Sequence, residues 1–199
     1  MAFGIINIMT KDNIITLPNP HLRQQSRKIN SVTAKVIALI DDMKAAALDW
    51  ENARPHEISA ALAAVQTDHL DRVVIIRNDL EEKKDGSFTV LINPEIVKYE
   101  GEIIEDYEGC LSVADVYGKV PRHSKIRVKA LNAEGEEIRF KADGFLARVI
   151  QHEVDHTNGI VFIDHIKNKE DAFYKLADNG ELEPLDYEEH IANNSILWD

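Results

Sequence analysis

Gln151-His152-Glu153-Val154-Asp155-His156 is the stretch that decides what this 199-residue chain is built around. Two histidines four apart project from one face of a helix, the spacing that lets both imidazoles reach a single metal ion. On such a helix Glu153 falls about 60° around from His156. That is the same side, where its carboxylate can reach a water beside the ligands and act as general base. Two solvated histidines could fall four apart on any polar helix face; the glutamate directly after the first turns the pattern toward a metal. Asp143 as N-cap and Gly159 just past the end place the helix over 144–158.

Catalytic sites of the zinc type use three protein ligands and leave a fourth position for water, so HExxH is one ligand short. Cys110, the only cysteine, can complete the set. It sits in Glu108-Gly109-Cys110-Leu111-Ser112, where Gly109 allows an unusual backbone angle or a close approach. Taken alone, a single thiol is more often a small buried hydrophobe, and it is the combination with the histidines that makes it a candidate ligand.

Outward from this centre, residues 31–50 open with Ser31 as candidate N-cap and set Val36, Ile40, Met43 and Ala47 at helical spacing. The Val- and Ile-rich runs 72–77 and 88–93 flank the turn signal Lys84-Asp85-Gly86 and read as a hairpin. Runs 125–131 and 137–141 alternate polar and apolar residues across Glu134-Gly135, as half-buried antiparallel strands do. Together they predict an α+β fold: antiparallel β-sheets packed around a central metal-binding HExxH helix, with an N-terminal helix.

Composition narrows the function. With 44% hydrophobic residues the chain can build a core without disulfides. Its 35 Asp and Glu against 23 Lys and Arg give a net charge of −12, the wrong sign for a general phosphate-binding surface. One cysteine excludes an internal disulfide framework. No window approaches 18 consecutive apolar residues, and MAFGIINIMTKDN lacks a basic n-region and a cleavage site, so a cytoplasmic protein without a membrane partner is expected. From Asp178 onward there are seven acidic residues and no Lys or Arg. A single domain over 1–177 with a loosely attached acidic tail over 178–199 follows.

With HExxH inside QHExDH and with EGCLS intact, the sequence resembles the peptide deformylases, whose third and second motifs these are. The family's first motif, GxGxAAxQ, has its counterpart in Ser59-Ala60-Ala61-Leu62-Ala63-Ala64-Val65-Gln66, with both glycines replaced. The similarity runs from Ile14 through Leu17-Pro18, Leu22-Arg23, Asp41-Asp42-Met43, Leu91-Ile92-Asn93-Pro94 and Val120-Pro121-Arg122 to Gly159.

The resemblance implies that Cys110, His152 and His156 hold one divalent metal, Fe²⁺ by family habit, with Zn²⁺, Ni²⁺ or Co²⁺ able to occupy the site. It implies removal of the N-terminal formyl group from formyl-methionyl peptides of newly made proteins. Glu153 would take the proton of the attacking water and pass it to the leaving amine. The Gln66 side chain and the Leu111 backbone N–H would receive the negative oxygen; without the family, Gln66 reads as a surface amide. The peptide would bind as an added strand between the first- and second-motif segments. Ala60, Leu111 and Val149 would wall its methionine pocket, with Ala61 and Arg148 also at the substrate.

Arg148 stands where an apolar residue is expected and is read as snorkelling to solvent from the pocket rim. Glu108 and Arg122 are candidates for an ion pair that steadies the cysteine strand. Ala61 would cost about 1 kcal/mol if the backbone there were left-handed. Two other functions fit parts of the pattern: an HExxH metallopeptidase with His165 as third ligand, and a deformylase-like metal-binding protein with reduced or altered activity. Transient ribosome contact fits the family, but the acidic tail differs from the basic C-terminal helix by which some members dock, so nucleic-acid binding is not expected.

Overall fold

Val73-Val74-Ile75-Ile76 is apolar at every position because the strand it forms is covered on both faces. In the computed structural model, which describes residues 8–54, 57–79 and 86–198, this run lies in β2 (Val73–Arg77). Val73 and Ile75 pack with Ile40, Met43, Ala46 and Ala47 of α1 (Ala34–Asn52). Val74 and Ile76 point the other way, onto Ala147, Ile150 and Val154 of α2 (Gly144–Thr157). The period-two alternation of a strand thus places one helix on each side of the sheet.

The remaining strands are β1 (Ala61–Ala63), β3 (Phe88–Cys110), β4 (Val113–Leu131), β5 (Glu137–Asp143), β6 (Phe173–Leu176) and β7 (Leu182–Pro184). They form one seven-stranded sheet in the order β1-β2-β3-β4-β6-β7, with β5 also on β4 and every pair antiparallel. Several sheets were expected; one suffices because β4 is long enough to take two further neighbours besides β3. Its Lys125–Leu131 half pairs with β5, and Tyr117 and Gly118 pair with β6. The architecture is α+β with few helices.

Both expected hairpins are present. β2 pairs with β3 from Val73↔Ile92 to Arg77↔Phe88. Lys84 and Asp85 of the expected turn lie outside the described residues. The sequence pattern captured only the ends of β3 and β4, because register shifts between Ile92 and Glu95, Ile96 and Lys98, and Glu100 and Ile103 break the alternation along the ribbon. α1 begins later than expected, with Thr33 rather than Ser31 at its N-cap.

α2 has Asp143 at its N-cap, although that side chain makes no capping bond. At its other end Gly159 adopts φ 75°, and an added Cβ would come within 2.5 Å of the Arg23 carbonyl oxygen. Only glycine serves there. Arg72 Nη1 donates to Thr157 O at 3.3 Å and Asn158 Oδ1 at 2.8 Å, which satisfies acceptors at the helix terminus.

The loosely attached tail is corrected by the structure. The β6–β7 hairpin runs across the 177/178 boundary, and Ile191 and Leu197 are buried with Leu17, Leu22, Phe162 and Phe173. Arg23 Nη2 donates to Leu197 O at 2.9 Å, and Trp198 Nε1 to Ile191 O at 2.7 Å. Charge counting registers the solvated face of this segment; its sparse apolar residues decide where it goes. Among the described residues no helix is long and apolar enough to cross a membrane. Leu197→Ala should lower unfolding free energy by about 2–4 kcal/mol. Urea denaturation measures this, and an unchanged midpoint would show that the segment contributes nothing to the fold.

Candidate metal centre

Cys110 ends β3 at the tip where the chain reverses into β4. Gly109 is needed for close approach rather than for a special backbone angle: a Cβ there would lie 2.5 Å from the Tyr117 ring on the returning strand. The tip lies against α2, so that Cys110 Sγ is 3.2 Å from His156 Nε2. One ligand atom from each of Cys110, His152 and His156 falls within 4.8 Å of the others. His156 is fully buried, and that burial, reinforced by the nearby His152 and Arg122, pushes its pKa well below the usual imidazole range. A neutral imidazole is the form that ligates.

His152 is oriented by Glu108, because its Nδ1 donates to Glu108 Oε2 at 2.9 Å and leaves Nε2 as the nitrogen that can ligate. The same carboxylate accepts from Arg122 Nε at 2.9 Å and Nη2 at 3.0 Å, and from Arg148 Nη1 at 2.8 Å. Burial would raise the Glu108 pKa, but the bonds from His152 and Arg122 outweigh it and hold the group well below the ordinary carboxylate range. The Glu108–Arg122 pair therefore exists, within a larger cluster. Arg122 Nη1 also reaches Asp155, which in turn accepts from His165 Nε2 at 2.7 Å.

Arg148 does not snorkel. It is 6% exposed, and its guanidinium turns inward to Glu108, to Val120 O at 2.8 Å and to Ile104 O at 2.6 Å. A buried anion and strand carbonyls hold it more strongly than water would. Its position four residues before His152 put it on the metal-facing side; the acceptors waiting there came from distant strands.

Gln66 lies in a single helical turn, Ala64–Thr67, directly after β1. It is 1% exposed, so the surface-amide reading fails. Its Oε1 accepts from Ala63 N at 2.9 Å, while Nε2 donates to Ser112 Oγ at 3.1 Å and to Cys110 Sγ at 3.5 Å. Ser112, which fixes this amide, carried no signal beyond its place in EGCLS. Glu153 is buried, and its Oε2 has no hydrogen-bond partner among the described residues. Burial, helped by Glu108 and Asp155 and opposed by His152, raises its pKa to about 7. A carboxylate so poised can take and return a proton near neutrality.

Ala60, Ala61, Leu111, Arg148 and Val149 line one cleft of about 380 Å³ together with Cys110, His152 and Glu153. Ala61 is ordinary strand, paired with Ile76, and among the described residues only Asp68, Asn93 and Asp115 combine positive φ with a side chain. The condition for left-handed strain at Ala61 is therefore not met. His165 is bound to Asp155 and stands outside the Cys-His-His group, so the third ligand that a metallopeptidase would need is not supplied by it.

Comparison with solved structures gives the class. The fold is similar to the peptide deformylase of Synechococcus elongatus in complex with actinonin, at TM-score 0.69 and 32% identity, covering 78% of this chain and 80% of that one. It is also similar to the Met-Ala-Ser-bound class I type b peptide deformylase of Acinetobacter baumannii, at TM-score 0.68 and 30% identity, covering 77% and 96%. Among curated relatives, the peptide deformylase of Thermomicrobium roseum is 39% identical over 169 residues, 83% of this chain and 92% of the relative. That of Agrobacterium fabrum is 40% identical over 158 residues, 79% and 88%.

The polypeptide deformylase family model matches residues 11–172, and the chain belongs to that family. It is a formyl-removing hydrolase of a family that uses a single divalent metal.

Replacing Glu108 by Gln should cost about 3–5 kcal/mol, because buried Arg148 loses its carboxylate partner and buried Arg122 keeps only Asp155. The folded-state pKa of Glu108 lies below its ordinary value of 4.5, so its contribution is complete above that pH and drains away as the pH falls below it. Acid unfolding followed by circular dichroism should therefore be steeper in the wild type than in Glu108→Gln; parallel curves would remove Glu108 from the acid response.

Proposed function

We propose that Cys110, His152 and His156 hold one divalent ion, with α2 as the central metal-binding helix, and that Glu153 is the general base of deformylation. The observation that carries this is the approach of the three ligand atoms to within 4.8 Å beside a buried carboxylate oxygen with no partner among the described residues. One thiolate and two imidazoles suit Fe²⁺ as well as Zn²⁺, Ni²⁺ or Co²⁺, and Fe²⁺ is our assignment from the family resemblance. When bound, the ion supplies the Lewis acidity that brings the pKa of water toward neutrality.

The protein's own groups do the rest. Glu153 accepts the proton of the attacking water and delivers it to the leaving nitrogen, yielding formate and a free amino terminus. The Gln66 amide, held by Ser112 and Ala63, and the Leu111 N–H donate to the oxygen on which negative charge develops. The substrate is a formyl-methionyl peptide of a newly made protein, in keeping with the Met-Ala-Ser seated in the Acinetobacter enzyme. β1 ends the sheet and among the described residues pairs with β2 alone, so its outer edge can accept the peptide as a further strand. Ala60, Leu111 and Val149 line the methionine site, and Ala61 flanks it; Arg148 acts by holding Glu108. A cytoplasmic site of action with transient ribosome contact fits this role.

Hydrolysis of formyl-Met-Ala-Ser, measured beside endopeptidase activity on an unformylated peptide, tests the reading: only the first is expected. Glu153→Gln should keep its metal content and lose at least 100-fold in kcat. Turnover above a hundredth of wild type would sink the general-base role. Cys110→Ser should bind the ion more weakly, as metal analysis after dialysis would show, and a fully metallated, fully active serine variant would return Cys110 to the status of a core residue.

A further inference from the structure

The family match ends at residue 172, yet the cleft does not. Leu176, Gly180 and Leu182, all from the β6–β7 hairpin, line the same cavity as Cys110, His152 and Glu153. We infer that this hairpin is a fixed, substrate-contacting wall that selects the side chain following the formylated methionine, favouring a large apolar one. The inference rests on the deformylase reading proposed above and names part of its substrate class.

Three observations support it. First, the hairpin is anchored at its base by the strand that returns from the cysteine tip. Gly118 pairs with Phe173 and Tyr117 with Tyr174, and Phe173 is 1% exposed. Tyr174 also meets Tyr107 edge to face at 4.9 Å, and both Tyr107 and Tyr117 line the cleft. Its turn is closed by Ala177 N donating to Glu181 O at 2.8 Å and Gly180 N to Ala177 O at 2.9 Å. This is a built wall.

Second, Leu176 and Leu182 are cross-strand partners, and both are only half-buried although they belong to a paired strand. Their remaining apolar surface borders the cavity. Third, a volume of about 380 Å³ sits within the range of small-ligand pockets and is more than the four side-chain atoms of one methionine fill. Ala60, Leu111 and Val149 serve that methionine. The two leucines, Trp50 and Tyr117 are further apolar and aromatic lining of the same cavity, contributed by other elements, and the next residue of the peptide is what remains to meet the leucines.

The test compares kcat/KM on formyl-Met-Leu-Ser, formyl-Met-Ala-Ser and formyl-Met-Asp-Ser for the metal-loaded wild type, Leu176→Ala, Leu182→Ala, the double variant and Leu182→Gln. The wild type should prefer leucine over alanine by about five- to tenfold, since a few buried methyl groups discriminate on that scale. The double variant and Leu182→Gln should each bring the ratio to within about twofold of unity, with the change in KM rather than in kcat. Thermal unfolding of each variant verifies that it is folded, and Leu182→Gln, which keeps the side-chain size, covers the case in which the double variant is not. A leucine preference that persists in folded variants, or a wild type indifferent to the second residue, overturns this proposal alone. A wild type that turns over none of the formyl peptides overturns the functional reading and this proposal with it.

Discussion

The carboxylate of Glu108 is the constraint on which the rest of the site depends. A buried anion is costly unless it is matched, and here two arginines and one imidazole match it from three directions. These partners come from β4 and from two turns of α2, so one ion cluster fixes the angle between the hairpin that carries the thiol and the helix that carries the histidines. It also leaves Nε2 as the nitrogen of His152 that is free to ligate. Attraction within such a cluster does not make the fold more stable than an apolar packing of the same shape would. What it provides is placement: the candidate ligands are tied to one rigid group.

Around that cluster the sheet acts as a partition. α1 and α2 occupy opposite faces of β1 and β2, and the cleft opens on the α2 side. Ser59 shows how the two sides communicate. Its N–H donates to Glu51 of α1 at 3.3 Å, and Glu51 holds Arg77 of β2 at 2.7 Å. The segment proposed to approach substrate is thus held from behind by a buried ion pair, where the family pattern has glycines.

Much of this was legible in the sequence, and for identifiable reasons. α2, its end at Gly159 and the metal candidates are encoded locally, in spacing that a helix reads directly. The β2–β3 and β4–β5 pairings show in alternation and turn residues. What escaped was set by partners remote in sequence. Arg148 turned inward because Glu108 and the carbonyls of Ile104 and Val120 await it. Gln66 is buried because Ser112 lies across from it. The acidic segment docks because Ile191 and Leu197 find an apolar surface made partly by Leu17 and Leu22. The long ribbon of β3 and β4 was hidden by its own bulges, which scramble the period that marks a strand.

That ribbon bears on how molecules of this protein meet one another. Among the described residues, β3 beyond Asn93 pairs with β4 alone, so the 95–109 stretch is an outer edge with Ile103 63% exposed and Ile104 48% exposed. An unpaired edge carrying apolar side chains invites strand addition from a neighbouring molecule. Here the register shifts bend the edge, and Glu100, Glu102 and Glu105 stud it with charge. The acidic side chains that help to give the chain its net charge of −12 therefore also keep a second copy from zipping onto this edge, which ties the charge to the colloidal behaviour of the protein.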